Sequence, residues 1–264
     1  MTRIHAQEIA TRLGTLRGIV HSPECQSKGA AVICHGFFSS TKVGPARLYV
    51  QLERLLAEMG YTAWRFDCYG VGDSDGEFIE ASYESELDDC ITVAKYAASE
   101  ELHGQVVFVG HSMGTTLATM AAAALCGNAS RLLLLSPSFG RIPLLSALFN
   151  ATQLSELNDK GITVRKGIEI KQSFIEGLES PNTLKCAESV SIPATVVYGT
   201  SDEFYTEESI MDAARALRAK VIAIPGGDHN FLNLDSRRVL LAKVRQEIRE
   251  WDEKSAAQQP LSRD

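Results

Sequence analysis

The sequence Gly-His-Ser-Met-Gly at residues 110–114 decides the fold, because its two flanks predict different secondary structures. Residues 105–109, Gln-Val-Val-Phe-Val, form the short, mostly β-branched run that is typical of a buried parallel strand. Residues 115–125 are rich in Ala, Met and Leu and predict a helix. At a strand-to-helix junction, Gly-x-Ser-x-Gly forms a tight turn that exposes its serine. The alternative for Ser112 is a surface position in a glycine-rich turn.

The composition indicates a single large soluble domain, or one domain with an insertion. The chain has 264 residues, of which 45% are hydrophobic and 22% charged. Its 26 basic and 33 acidic residues give a net charge of −7, which disfavours nucleic acid and anionic membranes as partners. The oligomeric state stays open, with a homodimer as one option.

No targeting or membrane segment is expected. Residues 1–8 lack the apolar core of a signal peptide, and the apolar stretch at 118–125 is too short to span a bilayer. The cysteines form no Cys-x-x-Cys pair, which predicts free thiols in a reducing compartment rather than disulfides or a metal site. We therefore expect a cytoplasmic protein without a metal or organic cofactor. The cysteines are Cys25, Cys34, Cys68, Cys90, Cys126 and Cys186.

Strands and helices alternate along most of the chain, which predicts a mostly parallel sheet with helices on both faces. An antiparallel hairpin is expected first, over residues 4–9 and 16–21. The expected strands then lie at 30–34, 61–66, 105–109, 131–135, 194–198 and 221–224. The expected helices lie at 47–59, 82–99, 115–125, 206–217 and 237–251, before a frayed polar tail from 254 to 264.

The alternation breaks between residues 137 and 189, which we interpret as a small cap inserted over the strand ends. A helix near 144–156, a hairpin over 162–170 and a helix near 172–178 are expected there. Residues 1–136 and 190–264 would then form the core domain. An insertion that leaves the carboxyl end of a parallel strand lies on the side where such sheets bind ligands.

Four motifs follow predicted strands in order. They are His-Gly-Phe at 35–37, the serine turn at 110–114, Tyr-Gly-Thr-Ser-Asp at 198–202 and Gly-Gly-Asp-His-Asn-Phe at 226–231. The chain order Ser112, Asp202, His229 is that of the α/β-hydrolase catalytic triad. Residues 15–252 therefore resemble the α/β-hydrolase superfamily. With the short cap, Arg-Phe-Asp-Cys-Tyr-Gly-Val-Gly-Asp-Ser-Asp-Gly at 65–76 looks most like the feruloyl and cinnamoyl esterase group.

This resemblance implies a serine esterase that acts on small to medium ester substrates, including aryl or hydroxycinnamoyl esters. His229 would accept the Ser112 proton, and Asp202 would orient the imidazole. The resemblance assigns the oxyanion hole to the backbone N–H groups of Phe37 and Met113. Thioesterase, amidase and acyltransferase activities could use the same site, and a non-catalytic ligand-binding protein of this fold is the alternative from another class.

Structural roles compete with the catalytic ones. Asp202 could cap the helix expected at 206–217, and Asp228 is expected to shape its own turn. His35 is expected to brace its loop, and His111 to pack beneath the serine turn. Asp67 and Asp73 are expected to brace their own loop through Asx turns. The candidate substrate contacts, which could equally be packing residues, are Phe38, Tyr69, Leu145, Phe149 and Phe174.

Overall fold

The fold is a central sheet with helices on both faces. The computed structural model describes residues 3–37, 41–125, 127–139, 148–179 and 182–258. The strands are β1 (Arg3–Ala10), β2 (Thr15–Ser22), β3 (Ala30–Cys34), β4 (Thr62–Phe66), β5 (Val106–His111), β6 (Ala129–Leu135), β7 (Ile162–Arg165), β8 (Ile168–Lys171), β9 (Ala194–Gly199) and β10 (Lys220–Ile224). The described helices are α1 (Leu48–Glu58), α2 (Tyr83–Ser99), α3 (Met113–Ala124), α4 (Ala151–Lys160), α5 (Gln172–Leu178), α6 (Asn182–Ser189), α7 (Glu207–Ala216) and α8 (Leu234–Gln258).

The main sheet has eight strands in the order β1-β2-β4-β3-β5-β6-β9-β10. The strands from β4 to β10 in this order pair in parallel, whereas β1 and β2 form an antiparallel hairpin joined antiparallel to β4. The predicted α/β fold with a mostly parallel sheet and an edge hairpin is confirmed.

β5, which carries the serine turn, is buried on both faces. Val106 and Phe108 join the apolar cluster that contains α2, α3 and α7. Val107 and Val109 join the cluster on the opposite face, which contains α1 and α8. Because side chains of a strand alternate between faces, this continuous apolar run is what a strand between two helical layers requires.

The cap segment, residues 137–189, contains α4, the separate two-stranded sheet β7–β8, α5 and α6 among its described residues. Its buried side chains, including Phe149 and Phe174, belong to the same apolar cluster as α2 and α3. The described part of the segment therefore has a core continuous with that of the main sheet. The domain boundaries at 136/137 and 189/190 stay a prediction.

Three helix predictions need correction. The helix expected near 144–156 spans Ala151–Lys160, because the Asn150 side chain accepts the N–H of Gln153 and so caps the helix there; residues 144–147 lie outside the described residues. The helix α6 was not expected from the sequence. The last helix continues to Gln258, so the tail from 254 is helical as far as it is described.

Candidate active site

Ser112 lies between the end of β5 and the start of α3, in a strained backbone conformation. Its φ is 54° and its ψ is −126°, a region that non-glycine residues rarely adopt. A Cβ on Gly114 would lie 2.2 Å from the Cys34 carbonyl oxygen, and one on Gly110 would lie 2.5 Å from the Gly114 carbonyl oxygen. The turn therefore leaves no room for a side chain at either of these two glycines.

The structure brings Ser112, His229 and Asp202 together from three separate strand ends. Ser112 Oγ lies 2.9 Å from His229 Nε2, and Asp202 Oδ2 lies 2.9 Å from His229 Nδ1. The side chains of His229 and Asp202 are 7% and 2% exposed. Since the carboxylate can only accept, Nδ1–H donates to Asp202, and this leaves Nε2 to accept a hydrogen bond from the Ser112 hydroxyl.

Asp202 also shapes the loop that follows it. Its Oδ1 accepts the N–H groups of Phe204 and Tyr205, while Thr206 caps α7. The capping alternative for Asp202 is therefore wrong. Both aromatic rings lie against His229, with centroids 4.7 Å and 5.6 Å from the imidazole. One carboxylate thus orients the imidazole and fixes the aromatic wall beside it.

Tyr205 is fixed at its other end as well. Its hydroxyl donates to Ser138 Oγ at 2.6 Å, and burial raises the pKa of Tyr205 to about 12. The phenol therefore stays protonated, and it stays a hydrogen-bond donor, across the neutral pH range.

His111 lies beneath the serine turn, as predicted, and it links three loops. The N–H of Gly36 donates to the Tyr49 hydroxyl at 3.0 Å, and that hydroxyl lies 2.8 Å from His111 Nδ1. His111 Nε2 lies 3.1 Å from the carbonyl oxygen of His229, which also accepts from Ser136 Oγ at 2.8 Å. Burial lowers the pKa of His111 to about 3. A neutral His111 can accept from Tyr49 and donate to the His229 carbonyl, which connects the Gly36, Ser112 and His229 loops.

The loop that carries His229 is held by two further residues. The Asp228 carboxylate accepts the N–H groups of Asn230 and Leu232, so its predicted role as a turn residue is confirmed. The buried guanidinium of Arg237 donates to the carbonyl groups of Asn230 and Phe231. Arg237 was not expected at the site, because no local sequence pattern marks a cation that caps loop carbonyls.

His35 braces its loop, and it is also part of the one group of described residues that could hold a metal. The possible ligand atoms of His35, Cys68 and Glu86 lie within 4.8 Å of one another and are buried. However, His35 Nδ1 lies 2.7 Å from the Gly36 carbonyl oxygen, and Nε2 accepts the N–H of Cys68 at 3.2 Å. Both ring nitrogens are therefore occupied by the loop itself, which fits the predicted structural role.

Asp67 braces its loop as expected, but not through an Asx turn, since the N–H that it accepts lies six positions further on. The Asp73 carboxylate pairs with Lys42 and does not form the expected Asx turn. Asp67 Oδ2 accepts the N–H of Asp73 at 3.0 Å. The Lys42 ammonium contacts both carboxylates, and the fully buried one is that of Asp67. The ion pairs tie the loop after β4 to the segment that follows the His35–Phe37 loop.

A cavity of about 150 Å³ opens over Ser112. The candidate oxyanion residues Phe37 and Met113 line it. Met113 is the first residue of α3, where backbone N–H groups have no acceptor within the helix. The other described lining residues are Gly36, His111, Ser112, Ser138, Leu148, Arg165, Lys166, Leu178, Phe204, Tyr205, His229 and Asn230.

The predicted substrate contacts do not line this cavity where they are described. Phe149 and Phe174 are each 1% exposed; Phe174 packs against Phe37 with ring centroids 5.5 Å apart. The Tyr69 hydroxyl donates to Glu80, away from the cavity. Phe38 and Leu145 lie outside the described residues. The cap segment instead contributes Ser138, Leu148, Arg165, Lys166 and Leu178, none of which was among the predicted substrate contacts.

The family model described as the alpha/beta hydrolase family matches residues 31–243. The chain belongs to this family. Est1E from Butyrivibrio proteoclasticus, in a structure with bound ferulic acid, is similar with a TM-score of 0.77 at 21% identity, covering 96% of this chain and 100% of that one. Alpha/beta hydrolase domain-containing protein 10 from mouse has a TM-score of 0.73 at 19% identity, covering 94% and 99%.

A thioesterase domain from the curacin biosynthetic pathway is also similar, with a TM-score of 0.65 at 19% identity, covering 92% of this chain and 99% of that domain. No curated protein matches the sequence at a significant level. At these identities the similar structures establish the α/β-hydrolase fold. Among the described residues, no helix is both long and apolar enough to cross a membrane.

Proposed function

We propose that this α/β hydrolase cleaves carboxylic esters of small to medium size through an acyl-serine intermediate. The observation that carries the proposal is the continuous hydrogen-bonded series from Ser112 Oγ through His229 to Asp202, with 2.9 Å at each step. A serine hydroxyl is a weak nucleophile at neutral pH and requires a base in contact with it. Nε2 of His229 is that base, and Ser112 Oγ faces a cavity large enough for a small acyl group.

In the first half of the reaction, Ser112 Oγ attacks the ester carbonyl while His229 Nε2 accepts the hydroxyl proton. Asp202 stabilises the imidazolium that forms. The tetrahedral oxyanion accepts hydrogen bonds from the backbone N–H groups of Phe37 and Met113, and each such donor contributes roughly 3 kcal/mol to transition-state stabilisation. His229 then protonates the leaving alcohol, and the acyl group remains on Ser112.

In the second half, water enters and His229 accepts its proton while the water oxygen attacks the acyl-serine carbonyl. Collapse of the second tetrahedral intermediate breaks the bond to Oγ, and the proton returns to Ser112. The aromatic rings of Phe204 and Tyr205 keep the imidazole in place through both halves, since they pack on it directly. We further propose that the cap segment covers this site and contributes to substrate choice.

Labelling with a fluorophosphonate and hydrolysis of an ester panel test the proposal together. The panel includes 4-nitrophenyl esters of increasing acyl length, a hydroxycinnamoyl ester, because the similar Est1E binds ferulic acid, and one matched thioester. We expect Ser112→Ala to fold normally, to lose the label and to lose on the order of 10⁶ in kcat. Ser155→Ala, on an exposed turn of α4, is the matched control and should keep both. Folded wild-type protein that takes up no label would favour a non-catalytic binding protein.

A further inference from the structure

The hairpin β7–β8 carries two cations to the wall of the Ser112 cavity. Arg165 ends β7, and Lys166 is the first residue of the turn that follows. Both residues line the cavity together with Ser112 and His229. No Asp or Glu is among the described residues of that lining. In a chain whose net charge is −7, the wall of the candidate site is therefore locally cationic.

Several other cations of the chain have carboxylate partners, whereas none is found for Lys166 among the described residues. Lys42 pairs with Asp67 and Asp73, and Lys220 pairs with Glu247 and Glu250. Within the described ranges, no carboxylate lies at ion-pair distance from the Lys166 ammonium. A cation at the mouth of a cavity without such a partner is available to an anionic ligand.

Arg165 is held in place by its surroundings. Its Nε donates to the carbonyl oxygen of Leu148, and its guanidinium lies 5.9 Å from the centroid of the Phe149 ring. Burial lowers the pKa of Arg165, but a guanidinium remains charged at neutral pH. Its position on the wall is thus fixed before any ligand arrives, which reduces the ordering cost of binding.

The backbone at Lys166 does not explain why a lysine is there. The pairing of Arg165 with Ile168 leaves a two-residue loop, in which Lys166 has a φ of 51° and Gly167 a φ of 81°. Two positive φ values define the type I′ hairpin turn, whose first position strongly favours Asn, Asp or Gly. A lysine is disfavoured in this conformation. Its presence at the cavity wall therefore indicates a role for the side chain rather than for the turn.

We infer that Arg165 and Lys166 form a subsite for a carboxylate carried by the ester substrate. The inference rests on the proposed ester hydrolysis and narrows it to esters with a negative charge near the reacting carbonyl. The charge can be carried by the acyl group, as in a monoester of a dicarboxylic acid, or by the alcohol. In both cases the subsite orients the carbonyl over Ser112. A short ester is then held at two points, with its carboxylate at the two cations and its carbonyl at Ser112.

Two pairs of substrates distinguish a charge on the acyl group from a charge on the alcohol. For the acyl side, the 4-nitrophenyl monoester of glutaric acid is compared with its neutral methyl glutarate counterpart. For the alcohol side, 4-butanoyloxybenzoate is compared with its methyl ester. We expect wild-type protein to prefer the anionic member of at least one pair by about tenfold or more in kcat/KM, the usual effect of a hydrogen bond to a charged group. Raising the salt concentration should reduce this preference.

Lys166→Asn is the decisive variant, because it removes the charge and supplies the residue that the turn favours. We expect the anionic-to-neutral ratio of kcat/KM to fall about tenfold, with no loss of thermal stability. Lys160→Asn removes the same charge from the exposed end of α4, outside the cavity lining, and should leave the ratio unchanged. Arg165→Met is the second variant and should also reduce the ratio.

Three results would overturn the inference. These are no anionic preference in the wild type for either pair, a preference that survives both Lys166→Asn and Arg165→Met, or an equal fall in the Lys160→Asn control. Binding of the intact esters to Ser112→Ala, measured by calorimetry, separates this inference from the proposed function. Tighter binding of the anionic ester, without hydrolysis by the wild type, would refute the proposed esterase activity and support the subsite. Ser112-dependent hydrolysis without any charge preference would support the esterase activity and refute the subsite.

Discussion

The serine turn and the cap segment contribute to the same cavity in different ways. Ser112, His229 and Asp202 lie on loops that leave neighbouring strands of a sheet buried on both faces, and hydrogen bonds connect these loops beneath the surface. The cap segment meets the cavity through a two-stranded hairpin and short helices. Its attachment depends on apolar side chains such as Phe149 and Phe174, which are almost completely buried.

Under the proposed function, the two regions would have different tasks, reaction and substrate selection. Groups that the sheet positions would touch the atoms that react in every substrate, so a change there should reduce the rate for all esters by a similar factor. Groups on the cap segment would touch the variable parts of a substrate, so a change there should alter the ratios between esters. Substitutions in the two regions should therefore be distinguishable by their effects on an ester panel.

After the loss expected for Ser112→Ala, the largest effect is expected at Asp202. Asp202→Asn leaves the shape of the site intact but no longer favours the Nδ1–H tautomer of His229, so kcat should fall on the order of 10⁴ for every ester in the panel. The measurement is kcat across the panel, with circular dichroism to verify folding. Asp228→Asn is the matched control, because the hydrogen bonds of this carboxylate to described residues are with backbone N–H groups of its own turn. A larger loss in the control would show that the acid had been assigned to the wrong residue.

The next largest effects are expected from substitutions at Phe149 and Leu148, two adjacent residues of the cap segment. Phe149 is 1% exposed, so Phe149→Ala should cost about 3–5 kcal/mol of folding stability and lower the melting temperature by roughly 2–4 °C per kcal/mol. Leu148 lines the cavity, so Leu148→Ala should instead reorder kcat/KM among acyl lengths by about 1–3 kcal/mol. Melting curves and the ester panel are measured on both variants. If Phe149→Ala reordered kcat/KM among acyl lengths and left the melting temperature unchanged, Phe149 would be a substrate contact rather than a packing residue.

The sheet and the positions of the site loops could be predicted because their signals are local. Runs such as residues 131–135 are apolar and short, and each of Ser112, Asp202 and His229 follows such a run within a short motif. Since parallel strands end at one edge of the sheet, these motifs are expected near one another. The structure brings the three side chains into contact, whereas their catalytic roles stay a proposal.

The cavity wall could not be predicted, because it depends on how distant segments pack. Phe149 and Phe174 are as apolar as Leu148, and only the packing of the cap segment determines which side chain faces Ser112. Tyr49 contacts His111 across 62 positions of the sequence, and no local pattern marks that pair. The start of α4 is a different case, since the Asn150 and Gln153 capping box was present in the sequence and was overlooked.

A smaller effect, on the pH dependence of folding stability, is expected from Glu86, a buried residue of α2. Burial raises the pKa of Glu86 well above its usual value, with Cys90 and Asp89 adding to the shift, and both carboxyl oxygens lack a hydrogen-bond partner among the described residues. Because the folded pKa is the higher one, its stabilising contribution is complete below the unfolded pKa of about 4.3 and is lost as pH rises towards the folded pKa.

Glu86→Gln keeps the shape of the protonated carboxyl and removes this titration. We expect the variant to gain melting temperature relative to the wild type as pH rises from 5 to 9, with little difference near pH 4. Asp89, whose pKa burial raises to about 7, remains in both proteins, so its own burial is common to both and only its coupling to Glu86 differs. Glu84→Gln, at an exposed position of the same helix, should show no such gain. A constant difference at all pH values would show that Glu86 is already neutral or already solvated throughout.

The smallest effect is expected at Tyr49. It is also the most sensitive test of whether the sheet loops and the cap segment have different roles. The Tyr49 hydroxyl accepts from the Gly36 N–H and contacts His111, and His111 contacts the carbonyl of His229. Tyr49→Phe leaves the Gly36 N–H and His111 Nδ1 without their buried partner, which should cost about 1–3 kcal/mol of stability. It should also loosen three loops that must hold their geometry for the reaction. We expect kcat to fall about tenfold for every ester, a change in barrier of about 1.4 kcal/mol, while KM stays close to that of the wild type.

Tyr83→Phe is the control that separates an effect on the geometry of the site loops from a general loss of folding stability. Tyr83 is also buried, and its hydroxyl donates to Thr116 Oγ1 at 2.7 Å. Thr116 in turn donates to the Met113 carbonyl, so Tyr83 reaches the serine turn only through a second hydrogen bond within α3, whereas Tyr49 contacts the Gly36 loop and His111 directly. The two variants should lose similar melting temperature, and Tyr49→Phe should lose the larger part of kcat. Equal losses of kcat would mean that general destabilisation accounts for both. A loss that depended on acyl length would place Tyr49 with the cap segment, among the residues that select the substrate, and would show that the buried network does not act on the reaction alone.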